Sequence, residues 1–194
     1  MTGTGGGESG GDEVAHVHGR FQPFHREHLD YAAWAAAEAD ALIVGITNAD
    51  RSHVAAEDAD PKRHEPAHNP FAYQERHRMV RAAVDDAAAL DVPVRIMPFP
   101  INRPERWDAY APADAVHYVN VLEEWHEVKA DRIASHGRRV RTKEGTRTVS
   151  GTDIRERMAA DDPWRDAVPD AVARVVHDVD GVARVRRLLA EADE

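Results

Sequence analysis

Two short stretches of this chain gather side chains that can hold an anion. The first is Gly19-Arg20-Phe21-Gln22-Pro23-Phe24-His25-Arg26-Glu27-His28. His25 and His28 stand three residues apart where a helix should begin, so both imidazoles can share one face beside backbone N–H groups that attract anions. A surface helix that happens to carry two of the chain's 12 histidines is the plainer alternative. The second stretch is Ser150-Gly151-Thr152-Asp153-Ile154-Arg155. Ser150 and Asp153 have the spacing of a capping box, and Thr152 and Arg155 then share a face at an exposed first turn. A hydroxyl, free N–H groups and a guanidinium there can bind phosphate, while the same letters also read as a cap and a solvated arginine.

The elements around these stretches decide whether they can meet. Val14 to His18 reads as a strand, and Leu29, Ala32, Ala33, Ala36 and Ala37 recur at the spacing of a helix face. Leu42 to Ile46 is a continuous apolar run, the mark of a strand covered on both faces. Thr47 to Asn69 has no periodicity, and its length and its Asp, His and Pro content make it a lid candidate. Pro70 to Leu90 is expected to be helical with Met79, Val80, Ala83 and Val84 inward, and Val92 to Pro98 a strand. Ala115 to Val119 reads as a strand, Leu122 to Ala134 as a helix, and Arg138 to Arg141 as a short strand. Val172, Val175, Val176, Val179, Val182, Val185, Leu188 and Leu189 mark buried stripes of a helical C-terminal segment. Alternating strands and helices imply an α/β fold, a parallel sheet with helices on both faces. In such sheets ligands sit beyond the carboxyl ends of the strands, which singles out the turn after the first strand.

Composition narrows the function classes. The chain has 194 residues and 42% hydrophobic content, which suits one domain from residue 14 to 194. Residues 1–13, rich in glycine and without an apolar side chain beyond the initiator, are expected to be a disordered tail. They do not make a phosphate loop, which follows a strand and ends in Gly-Lys-Ser/Thr. The formal net charge of -10 argues against nucleic acid or an anionic membrane as partner. The absence of cysteine removes disulfides, zinc fingers and thiol catalysis. No signal peptide or membrane span is visible, so a cytoplasmic enzyme is the expectation, with a homo-oligomer left open.

Taken together, Gly-Arg-Phe-Gln-Pro-Phe-His with a second His three residues on, and Ser-Gly-Thr-x-Ile-Arg far downstream, resemble the nucleotidyltransferase superfamily. The resemblance is greatest to archaeal-type nicotinamide mononucleotide adenylyltransferases and runs from about Val14 to Ala173. It includes Asn69-Pro70-Phe71 before Glu75-Arg76, Ile101-Asn102-Arg103, Trp107, and Trp164 with Val168-Pro169. It implies a Rossmann-like fold and transfer of the adenylyl group of ATP to nicotinamide mononucleotide, forming NAD and pyrophosphate. It further implies that His25, His28, Arg20 and Arg155 are catalytic, with the histidines on triphosphate oxygens and the arginines on phosphates. Gly19, Phe21, Gln22, Ser150, Gly151 and Thr152 would bind nucleotide. Trp107 would stack on the pyridine ring, with Asn120 and Asn102 at the substrate. No protein metal site is implied, and Mg²⁺ would arrive with the triphosphate. An acceptor phosphate is already ionised near neutral pH, so alignment and charge neutralisation suffice without a strong base.

The chain departs from the superfamily motif at Glu27, where glycine is expected; the carboxylate either alters the triphosphate site or points into solvent. The segment from Tyr118 to His126 also lacks the expected Asn-Pro pattern. These departures support an alternative within the class, nucleotidyl transfer, perhaps from CTP, to another phosphate or phosphonate. Two other classes compete: a metal-dependent hydrolase using His25, Glu27 and His28, and a ligand sensor without turnover. Trp125 reads as a core anchor ahead of a second stacking surface. His16 and His18 read as packed or solvent-facing rather than as triphosphate ligands. Arg138, Arg139, Arg141, Lys143 and Arg147 read as a solvated basic loop, and His53, His64 and His68 are too irregularly spaced for a metal site.

Overall fold

The computed structural model describes residues 13–50 and 65–192. The expected tail, apart from Glu13, and most of the lid candidate, with His53 and His64, lie outside the described residues. Five strands, β1 (Val14–Gly19), β2 (Ala41–Ile46), β3 (Val94–Pro98), β4 (Val116–Val121) and β5 (Arg139–Glu144), alternate with helices α1 (Arg26–Ala36), α2 (Tyr73–Asp85) and α3 (Glu124–Ser135). Helices α4 (Gly151–Ala160), α5 (Asp170–Asp178) and α6 (Gly181–Ala192) complete the chain.

Every strand pair is parallel and the order is β3-β2-β1-β4-β5. The chain therefore builds outward from β1 in one direction and from β4 in the other. The seam between these two strands is the topological switch point, where the connections leave a crevice at the strands' carboxyl ends.

The two faces of the sheet differ. Ala15, Val17, Leu42, Val44, Ile46, Val116 and Tyr118 face the main core, where they meet Ala32, Ala35 and Ala36 of α1 and Met79, Val80 and Ala83 of α2. Ile154 and Met158 of α4, Val172 and Val176 of α5 and Val185 of α6 join the same core. The opposite face is covered by a thinner layer, Phe99, Ile101 and Trp107 with Ala130 and Ile133 of α3. Alternation along β1 sends His16 and His18 to this second face. The Rossmann-like α/β arrangement is thus present, with helices on both faces.

Several sequence expectations shift. Helix α2 begins at Tyr73 rather than Pro70, because the Phe71 backbone exchanges two hydrogen bonds with the Gln22 side-chain amide (2.9 and 3.0 Å). Ala35, not Ala37, belongs to the buried stripe of α1, since Ala37 is its exposed C-cap. The basic run is edge strand β5 and the turn beyond it, not a loop, and its charges are paired: Arg139 with Glu13, Arg141 with Glu38, Arg147 with Glu123. Charged side chains along an edge strand discourage further strand pairing. Trp125 is no core anchor: it is 37% exposed, with its ring stacked on His126 at 3.6 Å.

Gly45 of β2 is held to the absence of a side chain. A Cβ there would lie 2.6 Å from His16 Nε2 and 2.8 Å from Phe99 Cβ. Gly45→Ala should therefore cost about 1–3 kcal/mol by overpacking. Urea unfolding checks this, and an unchanged midpoint would count against such tight packing.

Candidate active site

The turn from Gly19 to His25 leaves the end of β1, passes Phe21 at a left-handed φ of 55°, and enters α1 with His25 as N-cap. Such a φ is unusual for a bulky residue and persists only where surrounding contacts fix it. Those contacts come from three distant segments. The Gln22 amide clamps Phe71 as described. The buried Arg76 guanidinium donates to the carbonyls of Arg20 (2.8 Å), Thr47 (2.7 Å) and Asn48 (2.8 Å), tying the ends of β1 and β2 together. Arg155, 133 positions beyond Gln22, donates from Nη1 to the Gln22 carbonyl at 2.8 Å.

The late motif thereby lies directly against the first. The capping box forms as its spacing suggests: the Ser150 N–H donates to Asp153 (2.7 Å), and the Asp153 N–H donates to Ser150 Oγ (3.1 Å). Arg155 Nη2 donates to Thr152 Oγ1 at 3.0 Å. Arg155 is 4% exposed, so it is not solvated, while Thr152 on the same turn is exposed. Gly151 permits this approach, since a Cβ there would sit 3.0 Å from the Gln22 carbonyl oxygen. The first-turn N–H groups of α4 lack intrahelical acceptors and sit beside the opening turn.

His25 and His28 share a face and stack with centroids 3.5 Å apart. The His25 N–H donates to His28 Nδ1 at 3.2 Å, which places the proton of a neutral His28 on Nε2. Phe21 and Phe24 pack around the His28 ring at 4.9 and 5.5 Å. Burial, with smaller contributions from His25, Arg147 and Lys129, pushes His28 well below the ordinary imidazole value. Burial likewise lowers His25 to about 4. Both rings are thus neutral hydrogen-bonding groups near neutral pH before the charge of an anion is added.

Glu27 takes a course that the sequence does not suggest. Its Oε1 accepts from the Thr148 N–H (2.8 Å), the Thr148 hydroxyl (2.6 Å) and the Val149 N–H (3.2 Å). These bonds outweigh the effect of partial burial and hold its carboxyl below the usual range. Glu27 is therefore a staple from α1 to the segment that enters α4. The hydrolase alternative needs Glu27 grouped with the two histidines, and the carboxylate turns instead to Thr148.

The remaining expected site residues are dispersed. Trp107 is 1% exposed, donates its indole N–H to the Pro100 carbonyl at 3.0 Å and packs near Phe99, His117 and His136. Asn102 accepts from Arg132 at 3.4 Å on the surface of the thin layer. Asn120 pairs with Lys143 in the β4–β5 register, and its Oδ1 lies beside Gly145. Among the described residues, no group of three or more His, Cys, Asp or Glu side chains is placed to hold a metal ion.

Lys129 and His117 belong to neither motif and join the site only through the fold. Lys129 of α3 reaches the end of β1, where Nζ donates to the His18 carbonyl at 3.4 Å. Its charge acts on His18, His28, His117 and His126 together. The one available signal was its spacing from His126, one helical turn earlier.

With this geometry in view, comparison with known proteins is decisive. A family profile described as cytidylyltransferase-like matches residues 17–157. The chain belongs to this family. As a cytidylyltransferase-like protein it is a nucleotidyltransferase, and its relatives fall into two groups. It is 41% identical to the phosphonoformate cytidylyltransferase of Streptomyces viridochromogenes, over 88% of this chain and 94% of that one. It is 36% identical to a nicotinamide-nucleotide adenylyltransferase of Methanospirillum hungatei over 88% of this chain and 90% of that one. In fold it is similar to a bifunctional NMN adenylyltransferase/ADP ribose pyrophosphatase from Francisella tularensis, solved with AMP and a manganese ion, with a TM-score of 0.64 and 14% identity. That match covers 94% of this chain, which spans about half of the Francisella protein (53%).

Two outcomes follow from the site's construction. Glu27→Ala removes three hydrogen bonds to one carboxylate, and it should lower stability by about 1–3 kcal/mol and weaken nucleotide binding. Thermal melting with and without nucleotide reads both effects, and an unaltered pair of melts would remove the staple. Stability should also depend on acid. His25, His117 and His126 sit at about 4, while His16, His18 and His28 are pushed well below 6.5, all chiefly by burial. The unfolded chain then binds more protons, so stability is complete above pH 6.5 and falls as pH drops through that value. Each ring contributes about 1.4 kcal/mol per pH unit until its folded value is reached. Urea midpoints at pH 7.5 and 5.5 should differ sharply, and equal midpoints would mean that the rings protonate in place.

Proposed function

We propose that this chain transfers the cytidylyl group of CTP to a small phosphonate or phosphate acid, releasing pyrophosphate. An oxygen of the acceptor's ionised acid attacks the α-phosphorus; the new P–O bond forms as the bond to the bridging oxygen of the leaving pyrophosphate breaks. No proton need be removed by the protein, because the attacking oxygen is already anionic.

The observation that carries this reading is the identity to the phosphonoformate cytidylyltransferase, 41% against 36% for the Methanospirillum adenylyltransferase. Adenylyl transfer from ATP to nicotinamide mononucleotide is the second reading, favoured by the several nicotinamide-nucleotide relatives.

In this mechanism His28 Nε2–H and the first-turn N–H groups of Gly151 and Thr152 donate to triphosphate oxygens, where charge accumulates as pyrophosphate departs. Arg20 and His25 line the same turn. Arg155, Ser150 and Gln22 act as positioning residues: Arg155 donates to the Gln22 carbonyl, Ser150 accepts from the Asp153 N–H, and Gln22 donates to the Phe71 carbonyl. Mg²⁺ bound to the triphosphate would supply charge neutralisation; the imidazoles and N–H groups of the turn suit phosphate oxygens rather than a hard cation. A nucleoside triphosphate substrate supports a cytoplasmic setting for the reaction.

Pyrophosphate release from ATP, CTP, GTP and UTP, each with phosphonoformate, nicotinamide mononucleotide or no acceptor, tests the reading. CTP with phosphonoformate should give the highest kcat/KM; ATP with nicotinamide mononucleotide in that place would transfer the assignment to the second reading. His28→Ala should reduce turnover by about 10²- to 10³-fold, the typical loss for one preorganised donor. Near-normal turnover would take His28 out of the mechanism.

A further inference from the structure

Beneath the seam between β1 and β4 lies a group of side chains that the mechanism above leaves unused. His16 and His18 of β1 and His117 of β4 sit 4.6–5.7 Å apart, centroid to centroid, and none is more than 2% exposed. Among the described residues, no other residue donates to or accepts from any of their six ring nitrogens. The buried hydroxyl of Thr47, which follows β2 on the same face by alternation, also lacks a partner among the described residues. Buried polar groups are almost always hydrogen-bonded, and each exception costs about 1–3 kcal/mol. Three adjacent exceptions on one sheet face make a destabilising cluster that apolar side chains of similar size would avoid.

The position of the cluster argues for a ligand. It lies at the switch point, on the carboxyl half of β1, with His18 one residue before the turn that carries His25 and His28. Lys129, half-buried, stands at its rim over the His18 carbonyl. Neutral imidazoles donate N–H bonds without placing several like charges together in a dry site. A cation at the mouth adds attraction for an incoming anion, and buried hydrogen bonds to a charged group are the strong ones. Gly45 is part of the same construction, since a side chain there would occupy the space taken by His16 Nε2.

We propose that His18 and His117, with His16 beneath and Lys129 at the rim, form the acceptor subsite and bind the second acidic group of a small doubly acidic phosphonate or phosphate. The proposal rests on the cytidylyl-transfer reading for the identity of that acceptor. The imidazoles hold the non-reacting acid, and the phosphonate oxygen is then presented toward the nucleotide site after Gly19. They are binding residues that select for a compact, highly charged acceptor, and they exchange no proton in the transfer.

Steady-state kinetics of the full chain with CTP and phosphonoformate test it, using His18→Phe, His117→Phe and the rim variant Lys129→Met, which keeps a side chain of similar length. Acceptor KM should rise about ten- to a hundredfold in each, the loss expected for a hydrogen bond to a charged group, with CTP KM within about twofold. A purely structural cluster would instead leave acceptor KM alone while the phenylalanine variants melt at a higher temperature, and that result overturns the subsite. If wild type uses nicotinamide mononucleotide and not phosphonoformate, the functional reading fails separately. Phosphonoformate binding, followed by the imidazole Cε1–H resonances of His18 and His117 with a non-hydrolysable CTP analogue present, then decides the subsite alone. Saturable shifts sustain it, and unmoved resonances end it.

Discussion

The hydrogen bond from Arg155 to the Gln22 carbonyl is the contact on which the rest of the site depends. It joins the first turn of the chain to the late Ser150–Arg155 motif by a charged donor in a buried setting, where such bonds are strong and their loss leaves unsatisfied groups behind. Gly151 makes room for it, Thr152 orients the guanidinium, and Glu27 binds the same two segments together from the other side. Arg76 does the corresponding work on the β2 side of the turn. The left-handed Phe21 and the N-cap position of His25 are consequences of this three-way bracing rather than of local preference.

The sheet separates two tasks. Its main face buries the large apolar core against five helices, while the thin layer over the other face admits three histidines at the switch point. Burial keeps the imidazoles of both the turn and the seam uncharged, so the protein meets a highly charged substrate mainly with fixed dipoles. Full charges, on Lys129 and Arg20, stand at the margins. That arrangement suits a displacement in which negative charge shifts from one oxygen to another and no proton must be taken up.

Much of this was legible in the residue pattern, and what was not has specific causes. The apolar run from Leu42 to Ile46, the alternation along β1 and the valine stripe of α5 report burial directly, so the α/β order followed; on α6 only Val185 of the expected stripe is buried, with Val182, Leu188 and Leu189 half-buried. The Ser150–Asp153 cap is local and its spacing is sufficient. Arg155 reads either as a phosphate ligand or as a solvated cation, and only a tertiary acceptor distant in sequence buries it. Glu27 stands out as a departure from the motif, but its partner Thr148 lies 121 positions away, beyond any local rule. Trp107 and Trp125 carry no signal that distinguishes interior from surface, since that depends on which side of α3 and the preceding segment meets the sheet. His16 and His18 are visibly on one face, yet His117 joins them only through the pairing of β1 with β4.

The bracing of the opening turn by α4 has a consequence for biosynthesis. Chains emerge N-terminus first, and domains fold as their contacts become available. The segment from β1 to α1 leaves the ribosome early, but the groups that fix its shape, Thr148, Gly151 and Arg155, are made after β5. A nascent chain can therefore assemble most of its parallel sheet while the phosphate-facing turn still lacks its counterpart. Nucleotide then has nothing rigid to grip until nearly the whole polypeptide has been translated, so ligand capture marks the end of folding rather than guiding its early stages.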